Sequence, residues 1–107
     1  MREFDKYQLA TAETAIYPPD QALEYLALGL ASEAGEVAGK VKKYIRDGGD
    51  RLGLSVTVAD ELGDVLWYAA RLADDLGFAL SYVAEGNLAK LRSRKARGTL
   101  GGSGDDR

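Results

Sequence analysis

Residues 30–43 read LASEAGEVAGKVKK, and residues 60–68 read DELGDVLWY. In the first stretch and the residues around it, apolar side chains recur at three- and four-residue intervals, which is the spacing of one helix face. They are Leu23, Leu26, Leu30, Val37, Val41 and Tyr44. We therefore predict a long helix over about residues 21–46, which ends before the Gly48-Gly49 pair.

The second stretch belongs to a further helix with its own apolar stripe. The stripe consists of Ala59, Leu62, Val65, Leu66, Ala69, Ala73 and Leu76. We expect a loop over residues 47–55 and then a start at Ser55 or Thr57, because Asp60 follows Thr57 at capping-box spacing. Gly77 ends this helix.

The flanking segments complete an all-α chain. A first helix over residues 3–16 is ended by Pro18 and Pro19, after which Asp20 can cap the long helix. A last helix runs from about 79 to 96. We assign residues 1–97 to one domain and residues 98–107 to a flexible glycine-rich tail, since that segment offers little apolar surface to bury.

Composition excludes several classes of protein. The 107 residues contain no cysteine and no histidine, which removes disulfides, thiolate nucleophiles and histidine-ligated metals. The net charge of −3 argues against a partner that is a nucleic-acid polymer. No apolar run is long enough for a membrane helix and no signal peptide is visible, so we expect a cytoplasmic protein.

Two carboxylate pairs stand out in this background. Glu33 and Glu36 are three residues apart on one predicted helix, and Glu61 and Asp64 are three apart on the next. Each pair falls along one edge of an apolar stripe, so packing the stripes together brings the four carboxylates to one groove. Such a group repels itself unless a cation is bound, and oxygen ligands favour Mg²⁺ or Mn²⁺.

Basic, amide and aromatic side chains lie close to these pairs. Lys40 and Lys43 extend the carboxylate edge of the long helix, and Tyr68 follows Asp64 by one turn. On the last helix Asn87 falls within the apolar stripe, where we expect it to be buried and to need a polar partner. Trp67 points to a second face, beside small residues, and is expected at a subunit contact.

These residues resemble the MazG-like all-α nucleoside triphosphate pyrophosphohydrolases. That family carries Glu-x-x-Glu on one helix and Glu-x-x-Asp on the next, about two dozen residues apart. In this chain 24 residues separate Glu36 from Glu61. Several segments of the chain are similar to family segments: LASEAGEVAGKVKK, DELGDVLWY, NLAKLRSR at residues 87–94, and the glycine-rich tail.

The resemblance implies Mg²⁺-dependent hydrolysis of an NTP or dNTP to the monophosphate and pyrophosphate, as in nucleotide-pool house-cleaning. It implies a four-helix fold completed by oligomerisation, as a homodimer or a dimer-of-dimers tetramer. The implied metal ligands are Glu33, Glu36, Glu61 and Asp64. The implied substrate-binding residues are Lys40, Lys43, Tyr68, Asn87, Lys90 and Arg94. Because the chain lacks histidine, a carboxylate must take the proton of the attacking water, and Glu33 beside the apolar stripe is the candidate.

Two other classes fit parts of the pattern. A non-catalytic helical dimerisation or interaction module would carry the same acidic edges for solubility alone. A carboxylate-bridged di-iron protein would normally include Glu-x-x-His, and the chain has no histidine. Mg²⁺-dependent release of pyrophosphate distinguishes the first alternative from an enzyme.

Overall fold

The computed structural model describes all residues 1–107, and it contains four α-helices and no strand. The helices are α1 (Arg2–Thr11), α2 (Ala22–Asp47), α3 (Arg51–Asp75) and α4 (Leu80–Ala96). The predicted all-α class is thereby confirmed, as are the approximate bounds of α2 and α4. None of these helices has both the length and the apolar character required for crossing a membrane.

The two longest helices form an antiparallel hairpin. Only three residues connect α2 to α3, and two of them are glycines with positive φ, Gly48 at 74° and Gly49 at 130°. The Gly48 amide donates to the Tyr44 carbonyl at 2.8 Å, which closes the last turn of α2. A connection this short returns the chain directly along the preceding helix. The carboxylate pairs of α2 and α3 therefore come to the same part of the hairpin.

The start of α3 differs from the prediction. Asp50 is its N-cap, since the carboxylate accepts from the amides of Leu52 and Gly53, each at 3.2 Å. The expected loop over residues 47–55 is therefore wrong, as is a start at Ser55 or Thr57. The Thr57 hydroxyl instead donates to the Leu54 carbonyl inside the helix.

The N-terminal segment also departs from the prediction. Helix α1 ends at Thr11 and continues as a 3₁₀ turn over Ala12–Thr14, and Ala15 is already extended. Asp20 lies in a second 3₁₀ turn, Pro19–Gln21, and does not cap α2, whose N-cap position has no side-chain hydrogen bond.

Polar side chains of α1 fasten it across α3 and α4. Buried Gln8 donates to the carbonyls of Ala70 and Phe78 and accepts from the Leu80 amide at 2.9 Å. Asp5 accepts from both the amide and the hydroxyl of Ser81, and these bonds lower the pKa of the Asp5 carboxyl. Gln8 and Asp5 of α1 thus cap the N-terminus of α4, because the N-cap residue Ala79 has no polar side chain.

Residues 98–107 have no regular secondary structure and fold back on the end of α4. Arg107 donates to the carbonyls of Leu100, Gly101 and Gly104, and Arg97 donates to the Arg107 carbonyl. The division into a domain over residues 1–97 and a flexible tail stays a prediction.

Asp50→Ala should lower the free energy of unfolding by about 1 kcal/mol, because two amides at the start of α3 lose their acceptor. For a chain of this size we expect the melting temperature to fall by roughly 4–8 °C. Thr57→Ala is the matched control, and it should change stability by only a few tenths of a kcal/mol. A larger loss in Thr57→Ala than in Asp50→Ala would contradict the N-cap found here.

Candidate active site

Three carboxylates meet where α2 and α3 pack together. Oxygen atoms of Glu33, Glu61 and Asp64 all lie within 4.8 Å of one another. Glu61 and Glu33 are half-buried, and Asp64 is exposed. All three offer hard oxygen donors of the same sign, so the cluster fits a divalent cation such as Mg²⁺ or Mn²⁺.

Glu36 lies outside this group of three. The predicted convergence of four carboxylates is therefore met by three, and Glu36 lines a neighbouring cavity of about 480 Å³. This cavity extends along the hairpin toward its connecting loop and contains Lys40 and Lys43. Lys40 Nζ lies 3.7 Å from Glu61 Oε1, so one lysine links the cavity to the carboxylate cluster. We call this space the lysine cavity.

On the other side of the cluster lies an aromatic cavity of about 370 Å³. It is lined by Thr14, Glu33, Asp64, Trp67 and Tyr68. Two of these residues belong to a closed circuit of four rings in which each ring contacts the next. The centroid distances are 5.5 Å for Tyr17–Tyr25, 6.4 Å for Tyr25–Tyr68, 5.0 Å for Tyr68–Trp67 and 6.4 Å for Trp67–Tyr17.

Trp67 lies at this cavity, and its predicted place on a separate face was wrong. Its indole Nε1 donates to the Thr14 hydroxyl at 2.9 Å, which orients the ring toward the N-terminal segment. Tyr17 is held in the same way, since its hydroxyl accepts from Arg71 Nε at 3.2 Å. Buried Arg71 also donates to Thr11 and to Asp74. The segment between α1 and α2 thus forms one wall of the cavity.

The electrostatics of the cluster centre on Glu33. Loss of contact with water raises the pKa of this carboxyl, and hydrogen bonding with Glu61 raises it further. The charges of Asp64, Glu61 and Glu36 act in the same direction. This agrees with the expectation that Glu33 has a raised pKa. The pKa of Tyr68 is also raised, first by its burial and then by Tyr25 and the nearby carboxylates.

The three predicted substrate residues of α4 line none of the cavities. Asn87 is exposed, so its predicted burial was wrong, because its part of α4 is not covered by another helix. Lys90 is exposed as well. Arg94 is buried, but it donates to the Asp105 carbonyl at 2.9 Å and faces the C-terminal tail. Within one chain, the structure brings Lys40, Lys43 and Tyr68 to the carboxylates and leaves the α4 residues apart.

The structure is thus an all-α hairpin with clustered carboxylates between a lysine cavity and an aromatic cavity. Residues 21–98 match the family described as the MazG nucleotide pyrophosphohydrolase domain. The chain therefore belongs to that family, whose members generally depend on a divalent metal.

The chain is also similar to the Gene 37 protein of Mycobacterium phage L5. The two are 47% identical over 112 residues, which cover 96% of this chain and 97% of that protein. No solved structure matches the chain.

Several residues at the site were not predicted. Tyr25 has a sequence signal, because it lies two helical turns before Glu33 on the same face of α2. Thr14 and Tyr17 lie outside the α-helices, where no periodicity indicates which way a side chain points. Trp67 had a signal in its three-residue distance from Asp64, but its small neighbours favoured another face.

In metal-free protein, Glu33→Gln should raise the melting temperature relative to wild type at about pH 7.5. The folded chain binds a proton at Glu33 more tightly than the unfolded chain, so wild-type stability falls as the pH rises above the ordinary value of 4.5. The advantage of Glu33→Gln should therefore shrink as the pH is lowered toward 4.5.

Thermal unfolding with a chelator present measures this difference. Asp60→Asn is the control, because Asp60 is an exposed carboxylate on α3 outside the cluster. A gain in Glu33→Gln that is the same at every pH would contradict the raised pKa.

Proposed function

We propose that this chain hydrolyses a nucleoside or deoxynucleoside triphosphate to the monophosphate and pyrophosphate, as a house-cleaning enzyme of nucleotide pools. The observation that carries the proposal is the cluster of Glu33, Glu61 and Asp64, within 4.8 Å of one another, in a member of the MazG family. Its position between a cavity with lysines and a cavity with aromatic rings supports a substrate with both phosphates and a base.

The proposed metal ligands are Glu33, Glu61 and Asp64, with Glu36 one turn further along α2 as the fourth. Mg²⁺, for which Mn²⁺ can substitute, would neutralise the carboxylates and the phosphate oxygens when bound. The carboxylates need such a cation because Lys40 is the one positive side chain paired with the cluster, at 3.7 Å from Glu61.

The triphosphate is assigned to the lysine cavity. Lys40 and Lys43 supply positive charge there, next to Glu36 and to the α3 N-terminus. The base and sugar are assigned to the aromatic cavity, where Trp67 and Tyr68 offer ring faces and edges for stacking. This orientation places the α-phosphorus, which joins sugar to phosphates, beside the carboxylates.

In the proposed reaction a water attacks the α-phosphorus, and the bond from that phosphorus to the oxygen of the β-phosphate breaks. Glu33 takes the proton of the water, and pyrophosphate leaves. The raised pKa of Glu33 suits this role, because a carboxylate that accepts a proton more readily is a better base at neutral pH. These substrates and this chemistry accord with the predicted cytoplasmic location.

Glu33→Gln, Glu61→Gln and Asp64→Asn should each lower kcat/KM by about 100-fold or more, because each removes a charged oxygen from the cluster. The assay is a panel of NTPs and dNTPs with Mg²⁺, scored for monophosphate and pyrophosphate against diphosphate and phosphate. Asp60→Asn should retain wild-type activity. Turnover that persists in all three variants would remove the cluster from catalysis, and no hydrolysis by the wild type would favour the non-catalytic interaction module.

We further propose that the protein works as a homo-oligomer. Its radius of gyration is 16.5 Å, whereas a compact chain of this length has about 13 Å. Its accessible surface is 7551 Å², against roughly 5800 Å² expected for a compact monomer of its mass. The excess is of the size that an obligate homodimer interface covers on each subunit.

Exposed apolar side chains support one face of the hairpin as the place where a second copy packs. Leu52 and Val56 lie one turn apart on α3 and are 71% and 64% exposed, and Ile45 at the end of α2 is 78% exposed. Contact through this face would also bring a second copy close to the lysine cavity. We propose that Asn87, Lys90 and Arg94 reach the substrate bound by a second copy, since they line no cavity of their own chain.

The double variant Leu52→Glu/Val56→Glu should shift the protein from a dimer or larger assembly to monomer, because each exposed apolar contact is replaced by a charge. Light scattering during size-exclusion chromatography measures the mass. Leu9→Glu, on exposed α1, is the control and should leave the mass unchanged. A wild-type chain that is monomeric at all concentrations would contradict the oligomer.

A further inference from the structure

Gly29 of α2 lies directly under the ring of Tyr68. A Cβ built on Gly29 would lie 2.5 Å from Tyr68 Cζ and 2.6 Å from Cδ1, and closer still to Cε1. Carbon atoms of separate side chains do not approach this closely. The ring therefore occupies the space in which any other side chain at position 29 would begin.

The ring has little room to move aside. The edge of Trp67 packs against it at a centroid distance of 5.0 Å, and Tyr25 lies at 6.4 Å. Tyr25, Gly29 and Glu33 are spaced four residues apart on one face of α2, so the ring lies over the middle of a row that ends in the carboxylate cluster.

Gly29 is unlike the other glycines inside the helices. A Cβ at Gly35, Gly63 or Gly86 would meet no atom within 4 Å. Gly35 and Gly63 each lie inside a carboxylate pair, and no side chain of the same chain comes close to either position. Glycine is less favourable than alanine within a helix. Gly29 is the one helical position where a packed ring explains why glycine is present.

We propose that Gly29 is a positioning residue for the nucleobase. By lacking a side chain it seats Tyr68 against α2, so that Tyr68 and Trp67 together form the stacking wall of the aromatic cavity beside Glu33. A stacking wall binds a base well only when its rings are held in place before binding. The inference rests on the proposed function, because it presumes that a nucleotide base occupies this cavity.

The test compares Gly29→Ala with Gly86→Ala, a glycine inside α4 that lines no cavity. We expect Gly29→Ala to raise KM for the preferred nucleoside triphosphate about tenfold, with kcat within about twofold of wild type. Inhibition by inorganic tripolyphosphate, which has no base, should be unchanged. Gly86→Ala should leave all three constants unchanged and should melt at or above the wild-type temperature.

A second comparison separates positioning from general damage. In a Tyr68→Ala background the ring is gone, so Gly29→Ala should cause no further rise in KM. Trp67 is the sole tryptophan, and its fluorescence should change in Gly29→Ala but not in Gly86→Ala. The proposal would be overturned if Gly29→Ala had the kcat and KM of the wild type. It would also be overturned if kcat fell, KM rose and tripolyphosphate inhibition weakened together, because that pattern indicates general damage.

Failure of the proposed function is recognised separately. If the wild type hydrolyses no triphosphate, the activity is refuted before any variant is compared. Nucleotide binding followed by quenching of Trp67 requires no turnover, so it still measures whether Gly29→Ala weakens binding of a base-containing ligand. Equal quenching curves for Gly29→Ala and the wild type would overturn the positioning role.

Discussion

The packing of α2 against α3 places three like charges together, and the rest of the site depends on that contact. Glu33, Glu61 and Asp64 repel one another, and Lys40 is the one positive side chain paired with them, at 3.7 Å from Glu61. The hairpin prevents separation, since a three-residue connection and the packed ring of Tyr68 fix how the helices lie. A divalent cation bound at this cluster, as proposed above, would remove that repulsion.

The N-terminal segment has a second, mainly polar role. Gln8 and Asp5 bind the ends of α3 and α4, and Arg71 reaches back to the segment through Thr11 and Tyr17. These bonds are directional, unlike apolar packing, so they fix where the chain between α1 and α2 passes. That path brings Thr14 to Trp67. An α1 held by apolar contacts alone would leave the aromatic cavity with a movable wall.

The periodicity of apolar residues predicted the helices that pack through one apolar face. The apolar stripes gave α2 and α4 nearly to the residue, and they placed Glu33 near Glu61 and Asp64. Glu36 was predicted to join them, but it lies roughly 60° around α2 from Glu33 and lines the lysine cavity instead. The start of α3 was predicted too late because Thr57 and Asp60 have the spacing of a capping box inside the helix, whereas Asp50 is the actual N-cap.

The site residues that the sequence did not predict are defined by contacts with side chains from other helices. Thr14 and Tyr17 lie on irregular backbone, so nothing in their spacing indicates the indole or guanidinium that they meet. Gly29 carries no side chain, and its role is visible only from the ring of Tyr68 on α3, which packs against it. In contrast, Gly35 and Gly63 lie between paired carboxylates in the sequence, and no side chain of the same chain approaches them.

One chain carries too few positive charges at the site to balance the proposed triphosphate substrate. This deficit connects the proposed metal to the proposed oligomer. A triphosphate brings several negative charges to a region that already holds Glu33, Glu36, Glu61 and Asp64. The lysine cavity offers Lys40 and Lys43 in return, and Lys40 is already engaged by Glu61. Under the proposed function, a bound metal and a second copy of the chain would supply the remaining positive charge. The exposed apolar side chains Leu52 and Val56 of α3 are where the proposed second copy would pack to bring its own cations to the site.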